Sequence, residues 1–132
     1  MSFENVISEF DRAKKALKSA QILQEEGMAE DAVSRSYYAV MHAARAALLA
    51  NDTIAESHAA VRRLFGAVLV RPGLIEKEWA AILAREQDQC IVADYNVQIA
   101  WELETSASLV EDARAFVRRV QDYLASVGIS VE

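Results

Sequence analysis

Residues 31–50, DAVSRSYYAVMHAARAALLA, are apolar or small almost all the way round a helix, except for one narrow polar stripe. At about 100° per residue, Ser34, Arg35, Tyr38, His42 and Arg45 fall within an arc of about 100°, while Val33, Tyr37, Val40, Met41, Ala44, Ala47 and Leu48 cover the rest. A helix this apolar has to sit at the centre of its fold. Its polar stripe then needs an explanation as an interface, a site or a solvated edge, because arginine is almost never fully buried without a partner.

The rest of the chain supports a helical reading. With 132 residues, one proline, four glycines and 53% apolar residues, it fits a single domain over residues 1–132. Alanine dominates the apolar set and β-branched residues are scattered, so intrinsic propensity favours helix nearly throughout. Period and punctuation predict five helices. The first covers about 3–26, with Phe3, Val6, Ile7, Phe10, Ala13, Leu17, Ala20 and Leu23 on one stripe and Gly27 as its stop. The apolar helix follows over about 28–51 and ends at Asn51-Asp52, and the short link makes the two an antiparallel hairpin. A third runs over about 55–70 to Pro72-Gly73, a fourth over about 75–92, and an irregular stretch is expected around 94–100. The last begins near 103–105 and ends at Gly128, burying Leu109, Val110, Ala113, Phe116, Val117, Val120 and Leu124.

A net charge of −6 argues against a free-standing duplex-binding protein, whose phosphate contacts need a strongly basic surface. Local basic groups exist at Arg12, Lys14, Lys15 and Lys18, and again at Arg62 and Arg63, where alternation with acids fits a solvated helix face. The single cysteine, Cys90, rules out an intrachain disulfide framework and reads as a buried thiol. The start MSFENVISEF has no leader pattern, and no run approaches a membrane span of roughly 18 apolar residues, so a cytoplasmic protein that spans no membrane is expected.

Two sets of residues could carry chemistry. Arg85 and the pair Asp94-Tyr95 are separated by nine positions, which puts Arg85 and Asp94 on opposite sides of an unbroken helix. A helix ending between them would bring a guanidinium, a carboxylate and a phenol together at the end of a bundle. Such a group could bind or cleave a phosphodiester, or serve as a structural Arg–Asp pair. His42 shares the polar stripe with Arg35 and Arg45, where it could act as a general acid or base or simply be a hydrogen-bonded structural histidine. Tyr38 belongs to the same stripe, whereas Tyr37 belongs to the core. His42 and His58 are the two histidines, on different helices and without an HExxH pattern, so neither a metal nor a cofactor is expected.

Taken together, Ser34-Arg35-Ser36-Tyr37-Tyr38-Ala39, Ser57-His58, Arg85, Ala93-Asp94-Tyr95 and the final EDARAFVRRVQDYL resemble the HEPN domain family, over nearly the whole chain. The resemblance implies an antiparallel up-and-down bundle of four to five helices that forms a homodimer, often beside a minimal nucleotidyltransferase in a toxin–antitoxin pair. Active members of that family are metal-independent ribonucleases using an arginine with a histidine a few residues after it, RxxxxH. Arg85 matches the arginine, but Cys90, Ile91 and Val92 stand where the histidine would fall. Arg85, Asp94 and Tyr95 carry over as site residues. The expected function is a binding module for a nucleotide, RNA or a partner nucleotidyltransferase, with Arg35, Tyr38, Arg85, Asp94 and Tyr95 as binding residues. The alternative is an RNA endonuclease toxin in which Arg85 and His42 are catalytic.

Overall fold

In a computed structural model, which describes residues 3–96 and 101–131, the chain is a bundle of five α-helices with no strand among the described residues. They are α1 (Glu4–Glu25), α2 (Ala29–Leu49), α3 (His58–Leu64), α4 (Lys77–Tyr95) and α5 (Leu103–Ser126), and a π-helical turn, Phe65–Val70, continues α3. Turn and cap chemistry accounts for three of the boundaries. Gly27 takes φ +77°, so that its N–H reaches the Gln24 carbonyl and the Met28 N–H reaches that of Leu23, a Schellman ending. Gly128 repeats this at the end of α5, at φ +87°, with Ile129 bonded back to Leu124 and buried. Ser57 caps α3 by accepting a hydrogen bond from the Ala60 N–H at 3.0 Å.

The central helix is α2, packed by α1 on one side and by α4 and α5 on the others. Thirteen of its 21 residues are buried, including all seven of its alanines. Side chains that end at Cβ let three neighbouring helices approach closely, and the bulk of the core comes from those neighbours. Phe10 arrives from α1, Phe65 and Leu69 from the π-helical turn, and Phe116 and Leu124 from α5, each at most 1% exposed. Phe116 is at the focus, 5.5 Å from the Phe65 ring and 6.2 Å from Trp79. All seven residues predicted to face inward from α5 are buried.

Two expectations need correction. Helix α4 does not stop near 92 but continues to Tyr95, so Asp94 and Tyr95 are helical; Asn96 leaves the helix, and the rest of the expected irregular stretch, 97–100, lies outside the described residues. Phe3 and Ile7, placed on the core stripe of α1, are 44% and 39% exposed, because the first turn lies at the edge of what the other helices cover. The apolar residues of α2 are covered by its own chain. The exposed apolar side chains lie elsewhere, among them Ile22 and Met28 at the hairpin turn and Ile91 and Tyr95 on α4. No helix among the described residues is long and apolar enough to cross a membrane.

Candidate functional site

Ser34, Arg35, Tyr38, His42 and Arg45 are all left at least partly accessible by the packing of α2, so the predicted stripe is the one strip of this helix that the bundle does not cover. It forms the floor of a groove. Arg12, Lys15 and Ser19 form the α1 wall, at spacings of three and four that keep them on one face. This section encloses about 500 Å³ and reaches Arg35, Tyr38 and His42. A second section of about 370 Å³ shares Arg35 and Tyr38 and is bounded by Leu23, Asp31, Ser34 and, from α4, Asp94.

At the junction the Arg35 guanidinium lies 4.6 Å above the Tyr38 ring rather than closing an ion pair with Asp31 one turn earlier. Behind it, His58 at the start of α3 stands edge-on to both Tyr37 and Tyr38, at 5.4 and 6.3 Å. Asp94 is held at the α4 side, where the Ser34 hydroxyl donates to Oδ1 at 2.7 Å and the Cys90 thiol to Oδ2 at 3.6 Å. At the other end His42 Nδ1 is 2.8 Å from Glu9 Oε2, with Arg45 3.8 Å from Oε1 of the same carboxylate. The His42 hydrogen bond, helped by Arg45 and Arg12, lowers the Glu9 pKa against the opposing effect of burial.

Arg85 does not belong to this groove. Because α4 is unbroken from Lys77 to Tyr95, Arg85 and Asp94 point to opposite sides of it, and the expected pairing between them is absent. Arg85 instead binds α5, with Nη2 2.9 Å from Asp112 Oδ2 and 3.2 Å from Ser108 Oγ, beside a separate hollow of about 350 Å³. Tyr95, expected beside Asp94 in the site, follows it on the helix but is 82% exposed. Of the predicted site residues, Arg35, Tyr38, His42 and Asp94 share one groove, whereas Arg85 and Tyr95 lie outside it.

Position 90 bears directly on the ribonuclease pattern. Cys90 is buried, and burial together with the Asp94 carboxylate pushes its thiol up to about 11, so it remains protonated near neutrality and is a poor proton acceptor. It also faces Asp94, whereas Arg85 faces α5, so the two positions of the motif do not converge. Sequence reading missed four residues: Arg12 and Lys15, treated as a solvated face; Glu9, the partner of His42; and, outside the groove, Glu86. The last is 1% exposed with Oε1 unpartnered, and burial and the Asp112 carboxylate push it up to about 9. The i, i+3, i+7 spacing of Arg12, Lys15 and Ser19 was a visible signal for the first two. No cluster among the described residues has the makings of a metal site.

A small all-helical bundle with a polar groove along its central helix is thus the class of protein defined by fold and site. The HEPN domain model matches residues 9–123, and the chain belongs to that family. It is 32% identical over 94% of its length to a Methanocaldococcus jannaschii protein named "Putative toxin MJ0605", covering 92% of that protein. It is 33% identical over 87% of its length to the UPF0332 protein glr0978 of Gloeobacter violaceus, again covering 92% of the relative. A second M. jannaschii protein named as a toxin, MJ0142, is 24% identical over 90% of the chain and 81% of the relative.

Proposed function

We propose that this chain is a binding module of a toxin–antitoxin-type system whose α2 groove takes a nucleotide or an RNA segment without cleaving it efficiently. The observation that carries this reading is the groove itself: cations from α1 and α2, a guanidinium stacked on an aromatic ring, and an oriented carboxylate converge on one strip. Guanidinium and ammonium groups suit phosphate, and planar guanidinium and aromatic faces suit bases. The relatives named as toxins supply the setting, and a minimal nucleotidyltransferase antitoxin and a homodimer belong to the same reading. Sedimentation at micromolar concentration tests the dimer; a monomer there overturns that part.

The absence of efficient cleavage follows from the placement of the motif residues. Arg85 stabilises no phosphate in the groove while it is bound to Asp112 on the other side of α4, and Cys90 holds its proton. Arginine, with a pKa above about 12, does not exchange protons near neutrality. One observation favours the alternative, an RNA endonuclease: the Glu9–His42 pair is a histidine oriented by a carboxylate, an arrangement that serves general bases. The test is a mixed RNA substrate in EDTA with wild type, Arg85→Ala and His42→Ala, read alongside fluorescence anisotropy of a labelled single-stranded RNA. Binding that weakens in Arg35→Ala, with no cleavage, is expected. Efficient cleavage by wild type that His42→Ala loses replaces this reading with the endonuclease.

A further inference from the structure

We propose that the α2 groove holds a ribonucleotide unit in one direction, its phosphate against Arg12, Lys15 and Arg35 and its sugar hydroxyls against Asp94. The proposal rests on the nucleotide-binding reading above and adds to it a direction and a sugar preference.

The charges sort along the groove. The section between α1 and α2 contains Arg12, Lys15 and Arg35 and no carboxylate among its lining residues. Among the described residues none of these three cations lies in an ion pair, although the chain carries a net charge of −6. Glu9 is hydrogen-bonded to His42 and faces Arg45, and it feels the Arg12 charge without closing an ion pair with it. Three unpaired cations facing one hollow repel one another, and an anion relieves that repulsion. A phosphate also supplies the acceptor oxygens that guanidinium and ammonium donors match.

Beyond Arg35 the lining changes character. Arg35 is shared, but Asp31, Ser34 and Asp94 stand where Arg12 and Lys15 stood in the first section, so the far side of this section accepts hydrogen bonds and disfavours a second phosphate. Asp94 receives the Ser34 hydroxyl and the Cys90 thiol, which orient its carboxylate and leave lone pairs free for further donors. Sugar hydroxyls are such donors. Asp31 and Arg35 are one helical turn apart, about 5–6 Å between Cβ atoms, so the change from donor to acceptor lining takes place within the span of one nucleotide. At the junction, the Arg35 guanidinium over the Tyr38 ring provides planar groups against which a base can pack.

The consequence is discrimination by the 2′-hydroxyl, the group that separates RNA from DNA. The experiment titrates three probes in EDTA: a single-stranded oligoribonucleotide, the oligodeoxyribonucleotide of the same sequence, and AMP. The expected results are roughly tenfold tighter binding of the ribo form and loss of that ratio in Asp94→Asn. An Arg12→Ala/Lys15→Ala double variant is expected to weaken ribo and deoxy probes alike, roughly tenfold or more, with a shallower salt dependence. Both sites are exposed, so circular dichroism should report an unchanged fold. AMP binding as tightly as the oligomer assigns the site to free nucleotides, and binding of the oligomer alone assigns it to RNA; both carry the same chemistry. Wild-type binding without sugar preference, or a preference that survives Asp94→Asn, overturns the proposed direction while leaving nucleotide binding intact. If none of the probes binds, the underlying reading falls with it.

Discussion

Replacing Glu86 with glutamine should change how stability depends on pH while leaving the packing alone. The carboxyl is 1% exposed and its Oε1 has no hydrogen-bond partner, and burial, reinforced by Asp112 and opposed by Arg85, pushes it up to about 9 from an ordinary 4.5. Between those values the folded chain holds a proton that the unfolded chain has released. The stabilisation from this group is therefore complete below pH 4.5 and is lost as pH rises toward 9. One proton of difference corresponds to a slope of about −1.4 kcal/mol per pH unit. For 132 residues, an unfolding entropy of about 2.1 cal/mol/K per residue gives about 0.28 kcal/mol/K, so the slope amounts to about 5 °C in Tm per unit. Glutamine has nearly the same shape and no proton to hold. Thermal melts of both proteins from pH 6 to pH 8 should therefore show wild type losing about 10 °C relative to Glu86→Gln. Parallel Tm curves across that range would refute the reasoning, because they would mean that Glu86 ionises in the folded state as freely as in the unfolded one.

Phe116→Ala, which removes the ring packed on Phe65 and Trp79, should destabilise the bundle by about 3–5 kcal/mol in urea unfolding. Ala43→Leu inserts three carbons where α2 is fully enclosed and should cost about 1–3 kcal/mol, and a variant as stable as wild type would show slack in this packing. The Arg85–Asp112 pair is 50% and 30% exposed, and a double-mutant cycle should return a coupling of about 1 kcal/mol or less; a value of several kcal/mol would mean that the pair is shielded from water.

The parts of the fold that were legible in the sequence were those governed by local period and by glycine. Leu109 to Leu124 of α5, the α2 stripe and the stops at Gly27 and Gly128 all follow from helical spacing and from the left-handed conformation that glycine adopts readily. The end of α4 is not legible in the sequence, because nothing between Ile75 and Tyr95 breaks a helix and no residue there imposes the turn that an Arg85–Asp94 contact requires. The true partner, Asp112, lies on α5, and no rule of spacing within α4 reveals it. The site was half visible for the same reason. Arg35, Tyr38 and His42 lie on one helix and announce themselves by angle, whereas Arg12 and Lys15 join them only through the register of α1 against α2, which is a tertiary property.

The alanines of α2 partition the molecule's capacity for change. Around most of this helix a larger side chain collides with α1, α4 or α5, and a smaller one is available only as glycine, which weakens the helix itself. Substitution is thereby confined to a ribbon about one-third of the circumference wide, and that ribbon is the floor of the groove. A bundle of this design can exchange one ligand chemistry for another by altering a few positions along a line, with little consequence for whether it folds. In a saturation scan of α2, tolerance for folding should therefore vary with angle around the helix, and the positions most permissive for folding should be those at which binding is most readily changed.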